Sequence, residues 1–416
     1  YKRQLKTRSW LFQATILNYC PVFGVHFTAL HYIARHIRQK IEDDALETDL
    51  SETDLIARFL NDDTPMPVRK IDAWRLARLG SNEAKAALLQ ALSYGSSALR
   101  AATAEALGQS KWPDAEKILS ELLIEQDANV LRGVISGLAS IGTLTAVQSL
   151  QTLLFSENTD EAIRSFTALR LGDVQTDAAL TLLKTAMTSP LSEDTLINVV
   201  ASLAKYPFEQ TTDIFQRILA DDHASPELKT EATEGLANAD KKALPFLLDT
   251  AGHNPDADIR ASAAWAAGFN ANTGKLGAQL AALVQREPDE DVRRRLYESL
   301  MRQDTIPSQN LIEQVLTEND PATRIAAANM VAMSLHQNDT DSTMEQRFNS
   351  DIIPDLLSTA LGEFNTNLRF RAVFALVRSG TTDAASALNI ISQQGDPQVA
   401  ELANRSLADF PNSHKH

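Results

Sequence analysis

The chain has 416 residues, 44% of them hydrophobic and 22% charged, with 16 Gly, 15 Pro and one Cys. A single core stops growing near about 250–300 residues, so this length predicts several domains or a repeat array, and the apolar content excludes wholesale disorder. One cysteine, Cys20, excludes a disulfide framework and any multi-cysteine zinc or iron–sulfur site, and a formal charge of −15 argues against a general nucleic-acid binder.

Charge is unevenly spread. Residues 1–40 hold Lys2, Arg3, Lys6, Arg8, Arg35, Arg38 and Lys40 and no acid, a balance of +7 that leaves −22 on the rest. Between Arg8 and Arg35 lie 26 uncharged residues carrying Trp10, Phe12, Tyr19, Phe23, Phe27 and Tyr32. That length would span a bilayer, but Gln13, Asn18, His26 and His31 interrupt it and Pro21 with Gly24 splits it. The pattern predicts two short helices, over 7–20 and 25–44, around a Pro-Val-Phe-Gly turn. The second is amphipathic, with Leu30, Ile33, Ile37 and Ile41 on one side. Three readings of this hairpin stand side by side. It is a cap on the remainder of the chain, an interfacial anchor with Trp10, Phe12, Phe23 and Phe27 as membrane contacts, or a transmembrane helix. Residues before Cys20 are not small, which speaks against cleavage or lipidation there. The first residue is Tyr1 and not Met, so an upstream segment is expected. The expected domains are 1–45, 46–410 and a polar tail, 411–416.

From residue 46 onward the chain repeats. A basic residue recurs at Arg69, Arg100, Arg132, Arg164, Lys229, Arg260, Arg293, Arg324 and Arg369, with Leu196 and Ala400 in the two remaining positions, and the residue before is aliphatic except at Thr195 and Thr323. The steps are 31 to 33 residues, except for 45 between Arg324 and Arg369. The residue seven further on is always apolar, from Leu76 to Leu407, and offsets −1, +3, +4 and +7 share one helical face. Offset +4 is often small, as at Ala73, Ala104, Ser136, Ala168, Ala264 and Ala328, which lets a neighbouring helix come close. A second amphipathic helix follows each basic one, and polar stretches such as EQDAN and ENDPA between them supply caps and proline starts. The long step holds a polar insertion, 336–349, expected as a loop leaving the stack.

This pattern resembles HEAT repeats, specifically the bacterial phycobilisome-lyase-type HEAT-like repeats. The resemblance implies an all-α fold, a right-handed α-solenoid of about eleven helix pairs preceded by the N-terminal hairpin. It also implies that each Arg pairs with an acid in the preceding turn, for which Asp63, Asp127, Asp222, Asp256, Asp289, Asp320 and Glu363 are in place.

No catalytic constellation is visible, and no cofactor is called for. His26, His31 and His36 step by five and so fan around a helix, and no His-Glu dipeptide of the HEAT-type di-iron hydroxylases occurs. In HEAT proteins the helix carrying the Arg lines the concave side. Offset +5, opposite the buried face, reads Trp74, Leu169, Trp265 and Phe374 among polar and small residues, with Phe370 and Arg371 adjoining. These six are candidate partner contacts, unless neighbouring helices cover them. The resulting expectation is a non-enzymatic scaffold, cytoplasmic and peripheral to or anchored in an inner membrane. It would bind a basic or amphipathic protein segment along an acidic concave face, and no nucleic acid. Two enzymatic alternatives remain, a phycobilin-lyase-like protein and a HEAT-type DNA-repair enzyme.

Overall fold

The computed structural model describes residues 50–110, 112–270, 275–303, 311–335 and 342–410. The N-terminal segment, with Trp10, Phe12, Phe23 and Phe27, lies outside them, as does the tail. Among the described residues all regular structure is helical. The chain divides into two compact units, one ending at Gly235 and the other beginning at Leu236.

The N-terminal unit pairs α1 (Glu52–Leu60) with α2 (Met66–Leu79), α3 (Asn82–Tyr94) with α4 (Ser97–Gly108), and α5 (Ala115–Glu121) with α6 (Ala128–Ile141). It continues with α7 (Leu144–Phe155) and α8 (Glu161–Leu171), α9 (Asp177–Ala186) and α10 (Glu193–Leu203), and α11 (Phe208–Ala220) and α12 (Pro226–Glu234). The C-terminal unit pairs α13 (Leu244–His253) with α14 (Ala257–Asn270), α15 (Gly277–Val284) with α16 (Glu290–Leu300), and α17 (Leu311–Thr317) with α18 (Pro321–Ser334). After the short α19 (Ser342–Arg347) come α20 (Ile353–Leu361) with α21 (Thr366–Ser379), and α22 (Thr382–Gln394) with α23 (Pro397–Asp409). With α19 set aside, this makes eleven pairs among the described residues.

The second helix of each pair carries the periodic position, and it packs on its counterparts in neighbouring pairs of the same unit. Its buried face is the one the spacing predicts. Every +3 position is buried, even where it is Asp72, Thr103 or Thr167, and so is every +7 position except Leu407 of the last helix. The starts follow capping chemistry: Asp127, Asp160, Asp289, Asp320 and Asp396 accept backbone N–H bonds at the first turns of α6, α8, α16, α18 and α23. Three of these helices, α2, α6 and α21, stop on Gly80, Gly142 and Gly380, whose φ of 67°, 65° and 65° is left-handed and disfavours a side chain.

The repeated arginine does two jobs. It donates to carbonyls where the first helix of its own pair ends. Arg69 bonds Phe59 O at 2.8 Å, Arg100 bonds Leu92 O at 2.9 Å and Arg260 bonds Asn254 O at 2.9 Å, each placing a cation at a helix C-terminus. It also pairs forward: Arg100 with Glu125, Arg260 with Glu287, Arg293 with Glu318, Arg324 with Asp355 and Arg369 with Asp396. In these five the acid stands 25 to 31 residues downstream and not in the preceding turn, whereas Arg69 pairs with Asp62 of the preceding turn at 3.0 Å and Arg164 with Glu161 of its own first turn at 2.8 Å. Asp127, Asp289 and Asp320, expected as partners, are spent instead on the caps of their own helices.

The insertion departs from the expected loop. Residues 336–341 lie outside the described residues, but 342–347 form α19 and Phe348–Ile352 a π-helical turn leading into α20. Met344, Phe348 and Ile352, four apart, are all buried, and burying them is what makes this stretch helical.

Candidate partner-binding faces

In the N-terminal unit the small residues of the arginine-bearing layer bring backbones into contact. A Cβ on Gly133 would lie 2.3 Å from Ala101 O, one on Gly137 2.5 Å from Ala104 O, and one on Gly108 2.2 Å from Gly137 O. Helices α4 and α6 thus approach as closely as their main chains allow. Between flanking helices with larger side chains, this pair becomes a floor. The result is an open groove of about 810 Å³. Ala98, Ala101, Ala102, Gly133 and Ser136 line its base, with Met66, Pro67 and Lys70 of α2 on one side and Phe166 of α8 on the other. Lys70 and Glu105 form an ion pair at 2.8 Å, and Arg132 lies 3.5 Å from Asn129 Oδ1.

In the C-terminal unit the same layer is built differently. Helix α18 is nearly all small or apolar and is buried from Ile325 to Ala332. Two arginines of α21 reach across it. Arg371 donates to Glu298 Oε1 of α16 at 2.8 Å, while Arg378 donates to Asn329 and lies 3.9 Å from the Met301 sulfur. Arg295 holds the other oxygen of Glu298 at 3.0 Å. Burial opposes ionisation of Glu298, but Arg295 and Arg371 outweigh it and hold the carboxyl below its ordinary range. Alongside, Trp265 and Phe269 of α14 stack with ring centroids 5.5 Å apart, and the Arg302 guanidinium sits over Phe269 at 5.3 Å.

The six residues singled out by position fall into two groups. Trp74 on α2 is 41% exposed, one turn beyond Lys70, and half-buried Leu169 on α8 follows Phe166 by three residues. Trp265, Phe370, Arg371 and Phe374 are half-buried and belong to the C-terminal unit, the last three on one side of α21. Offset +5 is not uniformly the exposed one. Gly137 is covered by the α4 backbone, and Asn329, 5% exposed, by the arginines of α21. Position alone did not reveal the groove floor, Phe166, Phe269, Arg295 or Arg378. The glycines at 108, 133 and 137 and the seven-residue spacing of Arg371 and Arg378 were the available signals.

Neither face carries the acidic character expected from −22 on the repeats. Lys70, Glu105 and Arg132 surround the groove, and Arg295, Glu298, Arg302, Arg371 and Arg378 dominate the second face. The acids have gone to helix caps and to the forward partners of the repeated arginines. Among the described residues no helix is long and apolar enough to cross a membrane, and no three or more His, Cys, Asp or Glu gather where a metal ion could be held.

The sequence profile of the family described as HEAT repeats matches residues 53–134, 115–204 and 214–301. No curated protein matches the chain. Among solved structures, Kap121p bound to Pho4p is similar at 15% identity over 91% of this chain and 48% of its own, with a TM-score of 0.48. The chain therefore spans about half the length of that protein. Kap95p, from a structure with RanGDP, gives 13% identity, 97% and 66% coverage and a TM-score of 0.42. The E. coli protein YibA gives 14%, 73% and 95%, and 0.35.

Proposed function

The chain belongs to the HEAT-repeat family, and from that premise we propose that it is a non-enzymatic scaffold holding an amphipathic segment of a protein partner in the groove over α4 and α6. The observation that carries this reading is the groove itself: about 810 Å³, floored by alanine and glycine and walled by Met66, Lys70 and Phe166. A helix with its side chains is about 10–12 Å across and docks by laying an apolar stripe into such a channel. Trp74 and Leu169 extend the walls, and Trp265, Phe370, Arg371 and Phe374 supply further contacts on the C-terminal unit.

Site-specific photo-crosslinking in cells tests it. A benzophenone side chain at exposed Ala98 or Asn129 should capture the same protein, whereas one at Gln148 on α7 should not. Ala98→Arg should abolish the Asn129 capture with an unchanged melting curve. Equal capture at all three positions would refute the groove as the site.

The same reading gives residues 1–45 a membrane-surface role, with Trp10, Phe12, Phe23 and Phe27 in the headgroup layer and seven basic residues on anionic lipid. It places the protein in a bacterial cytoplasm against the inner membrane, as the phycobilisome-lyase-type likeness suggests. Sedimentation with phosphatidylglycerol vesicles, with and without residues 1–44, decides between this and a capping role. Loss of binding supports the anchor, and unfolding of the shortened chain supports the cap.

A further inference from the structure

The face across α16, α18 and α21 has a chemistry that the overall charge of −15 conceals. Arg295 and Arg371 share one carboxylate, Glu298, each through a single N–H bond. A guanidinium has five N–H donors, so two of them on one carboxylate leave a local positive excess with unspent donors. Arg378 stands seven residues from Arg371, about 10 Å along the same side of α21, where it donates to Asn329. Half-buried Phe370 and Phe374 sit on that helix between and beside the arginines. Guanidiniums at two-turn spacing beside aromatic surface match a helix presenting carboxylates along one edge and apolar side chains along the next.

Resting on the scaffold reading above, we infer that this face binds an acidic amphipathic helix, with Arg295, Arg371 and Arg378 pairing its carboxylates and Phe370 and Phe374 receiving its apolar side chains. Charge complementarity selects this occupant. The chain carries a net negative charge that repels an acidic partner, while the three arginines of this face attract one, so the site discriminates by register as well as by sign. A nucleic acid strand is the poorer match. Its charge continues past the patch at every phosphate and meets the acidic remainder within a Debye length of about 8–10 Å.

Fluorescence anisotropy on the full chain tests this with two labelled 20-residue helical peptides, identical except that glutamates in one are lysines in the other. The glutamate peptide should bind at least tenfold more tightly. Arg378→Gln should weaken it severalfold, and Arg371→Gln with Arg378→Gln more than tenfold, with circular dichroism melts confirming that both variants remain folded. Glu298→Gln should strengthen it by removing the competing carboxylate. A preference for the lysine peptide overturns the inference and leaves the scaffold reading standing. Binding of the glutamate peptide that both arginine variants retain, or tighter binding of a single-stranded oligonucleotide of equal charge, overturns it as well. Crosslinking at Ala98, on the other unit, judges the scaffold reading independently.

Discussion

Removing the carboxylate of Glu318 should unravel the middle of the C-terminal unit. Glu318 is 4% exposed and takes three hydrogen bonds, two from Arg293 at 2.8 and 2.7 Å and one from the Tyr297 hydroxyl at 2.9 Å. Tyr297 stands where most repeats have a small residue and is fully buried, so its hydroxyl has no route to water. Glu318→Ala leaves a guanidinium with only the Glu287 and Pro288 carbonyls, at 3.0 and 2.8 Å, and orphans the phenol. Breaking a buried pair costs about 3–5 kcal/mol and an unsatisfied buried hydroxyl about 1–3 kcal/mol. Both losses come from one carboxylate and do not add fully, so about 4 kcal/mol is expected. Stacked repeats lose strict two-state behaviour, so hydrogen exchange is the better assay than a global melt. Amides of α16 and α18 should lose about a thousandfold in protection, at a tenfold change per 1.4 kcal/mol, while α2 to α8 keep theirs. The triple variant Arg293→Met, Tyr297→Phe, Glu318→Leu should recover to within about 1 kcal/mol of the parent, because an apolar replacement removes both the desolvation cost and the orphans. A single-variant cost below about 1 kcal/mol, or a triple variant no better than Glu318→Ala, would refute the reasoning.

Three further outcomes are expected. Gly108→Ala places a methyl 2.2 Å from Gly137 O, a main-chain atom, and should cost about 1–3 kcal/mol in urea melts, whereas Gly235→Ala, with contacts no nearer than 3.5 Å, should change stability by less than about 1 kcal/mol. Burial pushes the Tyr206 phenol up from 10.0 to about 12. The folded state therefore keeps a proton that the unfolded chain loses above pH 10. That contribution is complete below pH 10 and lost as pH climbs to about 12, a fall of about 3 kcal/mol that Tyr206→Phe should remove from the stability–pH curve. Trp74→Ala should scarcely move the melting temperature, the ring being 41% exposed, but Trp265→Ala should cost about 1–2 kcal/mol through lost burial and its stack on Phe269; equal costs would contradict the environments described.

The repeat itself could be read from the sequence because the units between the two ends bury the same four offsets against the same kind of neighbour, while Val68 in the first and Asn404 and Leu407 in the last are less covered. That regularity survives Asp72 at a buried +3 position, where Arg58 meets it at 2.9 and 2.6 Å. Offset +5 could not be read in the same way, since its exposure depends on what the next pair does. Gly137 disappears because α4 comes close enough to touch it, and Asn329 because arginines 42 and 49 residues later fold over it. Apart from Arg69, which does meet an acid of the preceding turn in Asp62, the arginine partners were misassigned for a related reason. A turn residue nearby in sequence and an acid one pair downstream are both close in space, and only packing decides that the nearer one caps its own helix. In the insertion, the four-residue spacing of Met344, Phe348 and Ile352 was a helical signal masked by surrounding polar residues.

The mismatch between net charge and local charge has the same origin. This solenoid sets an anion at several helix starts, where others carry Ser, Thr or Asn, and supplies an anion to most of the repeated arginines. Asp127, Asp289, Asp320 and Asp396 serve the starts, and Glu125, Glu287, Glu318, Asp355 and again Asp396 the arginines. Asp396 serves both, accepting from Gln398 and Val399 N–H while pairing with Arg369. Each of these acids is fixed by the architecture, in the turns between helices or, for Asp355, in the first turn of α20, whatever the protein binds. The side chains across α16 and α21 stand outside those turns and caps. There the chain places Arg295, Arg371 and Arg378, so an acidic total coexists with a basic, aromatic face. Net charge therefore reports mainly how helix ends and repeated arginines are satisfied, and it does not reveal the sign of a local face such as that of α16 and α21.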